Sequence, residues 1–230
     1  MKHTIVLATR NAGKIKEFQS LLKDFPVDIL GLDAFGPIPE VVEDGETFDD
    51  NAYKKASFTA RCLGFPAISD DSGLVVEALN GKPGVHSARY AGPKATDRDN
   101  IDKLLKEMAG KSDRRAAFKC VISLTVPSGP ALTYEGSCEG EILETPRGEG
   151  GFGYDPIFFS PELGKTFAES DLAEKNRLSH RGRALAEMAA EFDKIIKWLD
   201  HRLVEEKPAK PDHSQFEDND WSQETMVRKK

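Results

Sequence analysis

Cysteine is scarce: Cys62, Cys120 and Cys138 are the only three in 230 residues, and no CxxC or Cys/His spacing joins them. That argues against a disulfide framework or a zinc cluster. The three read as ordinary, half-buried small hydrophobes in a reducing compartment. Long apolar runs are lacking too, since no stretch approaches the roughly 18 residues of a membrane span. The opening MKHTIVLAT is too short for a secretory signal and has no small-residue cleavage site. The expectation is a soluble, cytoplasmic protein with no membrane partner. An excess of positive charge is also missing. Asp and Glu number 39 against 32 Lys and Arg, a formal charge of −7, so no nucleic-acid polymer is expected as the main ligand. A single nucleotide stays open, because a few local cations and a metal suffice to hold one triphosphate.

What is present is an α/β pattern with a hydrophobic content of 39%, enough for a real core. Residues 4–9 form a short β-branched run that ends in a turn. Ile15, Phe18, Leu21 and Leu22 follow at helical spacing, and residues 27–32 make a second strand. Such an opening places a site at the strand's carboxyl end. An acidic loop around Glu43, Asp44 and Gly45 precedes a helix that Thr47 caps and Gly64 ends. Its Phe48, Ala52, Ala56 and Ala60 form a narrow face for close packing. Residues 67–69 and 74–79 read as two strand segments on either side of Asp70-Asp71-Ser72-Gly73. Residues 80–95 read as a structured loop, and Thr96 with Asp99 as a capping box. Strict alternation from Phe118 to Val126 and a turn at Pro127–Pro130 predict a long hairpin. A last helix is expected after Ser179, with Ala184, Met188, Phe192, Ile195, Leu199 and Leu203 facing inward. Residues 1–204 are therefore read as one domain and 205–230 as a polar, disordered tail.

Four constellations could carry chemistry. Thr9, Arg10, Asn11, Ala12, Gly13 and Lys14 sit between the first strand and first helix. They lack the P-loop spacing, yet helix N-terminal N–H groups and Lys14 suit phosphate oxygens. An ordinary turn with a solvated lysine is the bland alternative. Glu43, Asp70 and Asp71 are carboxylates of the kind that hold Mg²⁺, which takes one or two plus waters and phosphates. Neighbours on a strand face opposite ways, so only one of Asp70 and Asp71 should face the site. Exposed turn acids are the alternative there. In Gly150-Gly151-Phe152-Gly153-Tyr154-Asp155, two aromatic faces suit a base and Asp155 suits a sugar or base N–H, although simple turn chemistry competes. Lys175, Arg177, His180 and Arg181 crowd the start of a helix, where cations oppose the dipole. An anionic or carbonyl-bearing ligand explains them better than a solvated basic stretch.

These motifs occur in order with Ser87-Ala88-Arg89-Tyr90 and Ser179-His180-Arg181-Gly182, from about residue 3 to 203. In that combination the chain resembles the inosine triphosphate pyrophosphatase family, the non-canonical purine NTP pyrophosphatases. The resemblance implies an α/β fold with a long central mixed sheet flanked by helices and two lobes with a nucleotide cleft between them. It further implies a homodimer, a Mg²⁺ requirement, and hydrolysis of ITP, dITP or XTP to monophosphate and pyrophosphate. By position Asp71 is the implied proton acceptor and metal ligand, and Glu43 the second ligand. Thr9 to Lys14, Ser72, Phe152 to Asp155, Lys175, His180 and Arg181 are the implied substrate contacts. The rivals are a related pyrophosphatase for other modified nucleotides and a nucleotide-binding protein without catalysis.

Overall fold

A computed structural model describes residues 2–127 and 129–205. Its centre is a seven-stranded mixed sheet in the order β2-β1-β3-β4-β5-β6-β7. The strands are β1 (His3–Leu7), β2 (Val27–Gly31), β3 (Ala67–Val76), β4 (Arg115–Thr125), β5 (Ala131–Ile142), β6 (Phe158–Ser160) and β7 (Lys165–Thr166). β1 runs parallel to both β2 and β3, and the pairs from β3 onward are antiparallel. The helices are α1 (Ala12–Leu22), α2 (Phe48–Leu63), α3 (Asp97–Glu107), α4 (Leu172–Leu178), α5 (His180–Ala190) and α6 (Phe192–Glu205). This is the expected α/β architecture, a long mixed sheet with flanking helices. Among the described residues no helix is long and apolar enough to cross a membrane.

Local chemistry sets most boundaries. Thr47 and Asp50 form a capping box on α2, and Gly64 closes that helix in the left-handed conformation. Thr96 and Asp99 do the same at the start of α3. Ala52, Ala56 and Ala60 are fully buried, so α2 lies close on the sheet. The alternating residues of β4 and β5 pair in one long antiparallel ladder from Arg115↔Glu141 to Thr125↔Ala131.

Three expectations need correction. Asp70 to Gly73 do not interrupt a strand: β3 runs unbroken through them, with Asp70 opposite Ile122 and Asp71 opposite Val121, and residues 77–79 form a 3₁₀ turn. The last helix is two, α5 and α6, broken at Glu191. A further helix, α4, precedes them and carries Lys175 and Arg177 in its last turn, where cations favour the dipole. The segment expected to be a disordered tail lies outside the described residues beyond Glu205.

Two large apolar cores lie at the two ends of the long strands, and a small third one joins Val6, Ala60 and Ala67. One gathers Ile5, Leu7, Phe18, Ile122, Leu185 and Phe192 from β1, α1, β4, α5 and α6. The other gathers Leu74, Leu104, Met108, Phe118, Phe158 and Phe167 from β3, α3 and its C-cap, β4, β6 and the 3₁₀ turn after β7. The cleft draws its walls from elements of both.

Candidate active site

The cleft encloses about 510 Å³. One wall is the turn after β1. Asn11 caps α1, its side chain accepting from the backbone N–H of Gly13 at 2.9 Å and Lys14 at 3.2 Å, and Thr9 accepts from Asn11 N at 3.1 Å. Two of the N–H groups expected to meet phosphate are thus already paired. Thr9, Arg10, Asn11 and Lys14 line the cleft; Ala12 and Gly13 do not. Arg10 sits at the rim and donates to the carbonyl of Ile38 at 2.9 Å.

β3 supplies the floor, and its alternation divides two neighbouring acids. Asp71 faces α2: Asn51 Nδ2 donates to it at 3.1 Å, and Lys55 Nζ lies 3.5 Å away. Lys55 also meets Glu43 Oε1 at 3.1 Å and the carbonyl of Asp70 at 2.9 Å, so one ammonium bridges both expected metal ligands. Burial, then the nearby Glu43, pushes the Asp71 carboxyl above its ordinary range against the pull of Lys55. Burial works against the Lys55 ammonium, but Asp71, Glu43 and Asp70 hold its pKa above the usual lysine value. Among the described residues no cluster of three or more metal-type side chains exists. Two crowded carboxylates that share a single ammonium keep a net negative charge and fit a sparse Mg²⁺ set, completed by water and phosphate.

Asp70 faces the opposite side. Its Oδ2 accepts from Lys14 Nζ at 3.0 Å, Arg181 Nε at 3.1 Å and Ser72 Oγ at 3.0 Å. Burial raises its pKa, but Lys14 and Arg181 outweigh that and hold it well below the usual carboxylate range. Arg181 is only 2% exposed and also pairs with Glu17 of α1. Three of its five N–H donors are engaged, the third weakly with Ser72 at 3.4 Å.

The remaining wall comes from α4, α5 and the glycine-rich segment. Ser179 caps α5 by accepting from Gly182 N at 3.1 Å. Gly182 is required there, because a Cβ would lie 1.7 Å from the carbonyl oxygen of Asn176 where α4 meets α5. That corner delivers His180 and Arg181 into the cleft. The His180 ring stacks on Phe118 at 4.8 Å and 15°, with Nδ1 buried and unpartnered among the described residues. Burial, then Arg181 and Lys175, pushes its pKa well below the ordinary histidine value, so the imidazole is neutral. Phe152 is 38% exposed, with Lys175 Nζ 4.3 Å from its ring centre.

Two neighbours of Phe152 differ from expectation. Tyr154 is not an open stacking face: it is 4% exposed and donates its hydroxyl to the carbonyl of Ser87 at 2.9 Å. Asp155 already spends one oxygen inside the protein: its Oδ2 binds Lys175 Nζ at 2.7 Å and accepts from Phe152 N at 2.9 Å. Gly153 donates its N–H to Asp97 at 2.7 Å.

Lys55, Asn51 and Glu17 are site neighbours beyond the residues expected from the sequence. Asn51 and Lys55 lie four apart on α2, on one helical face, and that spacing was the available signal. Nothing in the sequence marks Glu17 as buried.

The sequence and the fold both have relatives among known proteins. A model of the Ham1 family matches residues 5–191. A dITP/XTP pyrophosphatase of Desulfotalea psychrophila is 66% identical over 218 residues, covering 95% of this chain and 98% of that protein. Another of that name, from Syntrophobacter fumaroxidans, is 61% identical and covers 90% of this chain and 89% of its own. Among solved structures, a HAM1 protein from Coxiella burnetii is similar with a TM-score of 0.79 and 45% identity, covering 84% of this chain and 99% of that one. The Staphylococcus aureus Ham1 protein gives 0.76 and 42%, covering 83% and 98%. By sequence and by fold alike, this chain belongs to the Ham1 family.

Proposed function

We propose that this protein hydrolyses non-canonical purine nucleoside triphosphates, ITP, dITP and XTP, to the monophosphate and pyrophosphate, with Mg²⁺ as cofactor. The observation that carries the reading is the split on β3, with Asp71 and Glu43 around Lys55 on one side and Asp70 holding Lys14 and Arg181 on the other. The names of the close relatives support the substrate class. The reading extends to a homodimer in the cytoplasm: the family resemblance supports the first, and three buried cysteines outside any disulfide suit a reducing compartment.

Glu43 and Asp71 would hold Mg²⁺, which when bound offsets charge on the triphosphate and the leaving pyrophosphate. Lys14 and Lys55 both line the cleft and would bring two fixed cations to the triphosphate. Asp71, steadied by Asn51 and Lys55, orients the attacking water. Burial raises the Asp71 pKa, but a carboxylate that ligates Mg²⁺ beside Lys55 would be a poor base, so positioning is its main contribution.

Specificity follows from the base edge. Inosine and xanthosine carry a 6-oxo acceptor, which suits an N–H of neutral His180 or a remaining N–H of Arg181. Adenine places an amino donor there and leaves those buried donors unpaired, a penalty that discriminates by on the order of 10⁴. Guanine shares the 6-oxo group and is refused at its 2-amino group. The test is kcat/KM by pyrophosphate release for ITP, dITP, XTP, GTP and ATP, with and without Mg²⁺. ITP and XTP should lead by orders of magnitude and only with metal; comparable values for ITP and ATP sink the edge-reading account.

A further inference from the structure

Ser87-Ala88-Arg89-Tyr90 stands out in the sequence, yet the proposed chemistry gives it no role. These residues close a 3₁₀ turn, Gly84–Arg89, packed directly on β3 just past Asp71 and Ser72. Ser87 Oγ accepts from Leu74 N at 2.9 Å and donates to the carbonyl of Gly84 at 2.6 Å. The fit is so close that a Cβ on Gly73 would lie 2.4 Å from the Gly84 oxygen and 2.6 Å from Ser87 Oγ. On its other side the turn is held by α3, where Asn100 Nδ2 donates to the carbonyl of Ala88 at 3.2 Å and Lys103 Nζ to that of Tyr90 at 2.7 Å. It is therefore fixed to the strand that carries Asp71.

Arg89 reaches out from this anchored turn. Its Nη2 donates to the backbone carbonyl of Glu43 at 2.8 Å, across 46 positions of sequence. Among the described residues no carboxylate pairs with its guanidinium within 4.0 Å. Glu43 itself lies in a stretch without helix or strand. The other ties on that stretch come from α2, where Asn51 Oδ1 accepts from Gly45 N at 2.8 Å and Lys55 meets the Glu43 carboxylate, and from Arg10 at Ile38. Lys55 joins the Glu43 side chain to β3, and Arg89 ties the Glu43 backbone to the turn packed on that strand.

We propose that Arg89 is a positioning residue that sets the separation of Glu43 from Asp71, and with it the affinity of the site for its divalent cation. The proposal rests on the functional reading above. A residue that orients a ligand without touching the metal typically contributes 10- to 100-fold in metal affinity. Arg89→Met keeps the apolar stem and removes the donors; Arg89→Lys keeps a charge and one donor.

Mn²⁺ binding to the full chain, with α,β-methylene-ITP present, is read by EPR, alongside the Mg²⁺ dependence of ITP hydrolysis. Arg89→Met should weaken Mn²⁺ at least ~10-fold and raise the Mg²⁺ needed for half-maximal rate by a similar factor. kcat at saturating Mg²⁺ should be largely retained, and Arg89→Lys should recover most of the affinity. A purely architectural role predicts instead a lower Tm and a kcat that excess Mg²⁺ does not restore; that result, or wild-type metal affinity in Arg89→Met, overturns the proposal. If the wild type neither binds Mn²⁺ nor hydrolyses ITP, the functional reading falls first.

Discussion

Asp70→Asn tests the buried half of the site most directly. The substitution keeps the shape and removes the charge that three donors converge on: Lys14 at 3.0 Å, Arg181 at 3.1 Å and Ser72 at 3.0 Å. Breaking a buried ion pair by deleting one partner costs about 3–5 kcal/mol, because the other charge stays uncompensated. Here the lower end applies. Arg181 keeps Glu17, and the Lys14 side chain, 17% exposed, has a path to water. About 3 kcal/mol at ~2–4 °C per kcal/mol for a chain of this size lowers Tm by roughly 6–12 °C. The pH dependence has a definite sign. The Asp70 pKa is depressed in the folded state, so its stabilisation is complete above the unfolded value of ~3.9 and is lost as pH falls toward the folded one. Urea unfolding followed by circular dichroism should show a constant gap between wild type and variant from pH 8 to 5, with equal m-values, narrowing below about pH 4. A gap under 1 kcal/mol at pH 7, or one that widens in acid, refutes the assignment.

The neighbouring acid should behave in the opposite way. Asp71→Asn should abolish turnover while nucleotide still binds by calorimetry. Because burial and Glu43 raise the Asp71 pKa, its ionised form is costly near neutrality, so the amide should leave Tm at pH 7 unchanged or higher. That advantage should fade as pH falls through the raised pKa and the wild-type carboxyl takes up its proton; a clear loss of Tm at pH 7 contradicts this. Gly73→Ala should destabilise by about 1–3 kcal/mol through overpacking. It should also raise the Mg²⁺ requirement, since the new methyl pushes the Arg89 turn off β3; an unchanged urea midpoint would show that the turn is not seated as tightly as its geometry indicates.

Much of the fold was legible because its signals are local. Thr47 with Asp50 and Thr96 with Asp99 announce their helices through reciprocal side-chain and backbone hydrogen bonds. The β4–β5 hairpin follows from alternation across a tight turn. The unbroken course of β3 was hidden because Asp-Asp-Ser-Gly is good turn chemistry; the ladder from β4 overrides it. The break between α5 and α6 has no Pro or Gly to mark it, and the apolar spacing continues from Met188 through Phe192 to Ile195. α4 does carry a local signal, the capping box of Asp171 and Glu174 just ahead of the basic cluster. The site's residue types were legible, while their pairings were not: only the fold brings Glu17 to Arg181, 164 positions away.

Those pairings change how the cations of the site act. Lys14, Lys175 and Arg181 look in sequence like free donors awaiting an anion. In the fold they meet Asp70, Asp155 and Glu17, three cations against three carboxylates with little exposure to water. A balanced cluster leaves little field to attract just any polyanion, and burial beside Arg181 and Lys175 keeps His180 neutral. Each cation retains unused N–H donors, but carboxylates now fix their directions. A ligand gains only by placing acceptors where those donors already point, which is the condition for rejecting a base whose edge carries a donor instead. On β3, consecutive residues divide the work: Asp70 orders the cations that would read the nucleotide, and Asp71 belongs to the acid pair that would hold the metal. A one-residue slip of β3 against β4 would exchange the two faces and abolish both functions, so the long ladder of that strand pair protects the chemistry as well as the fold.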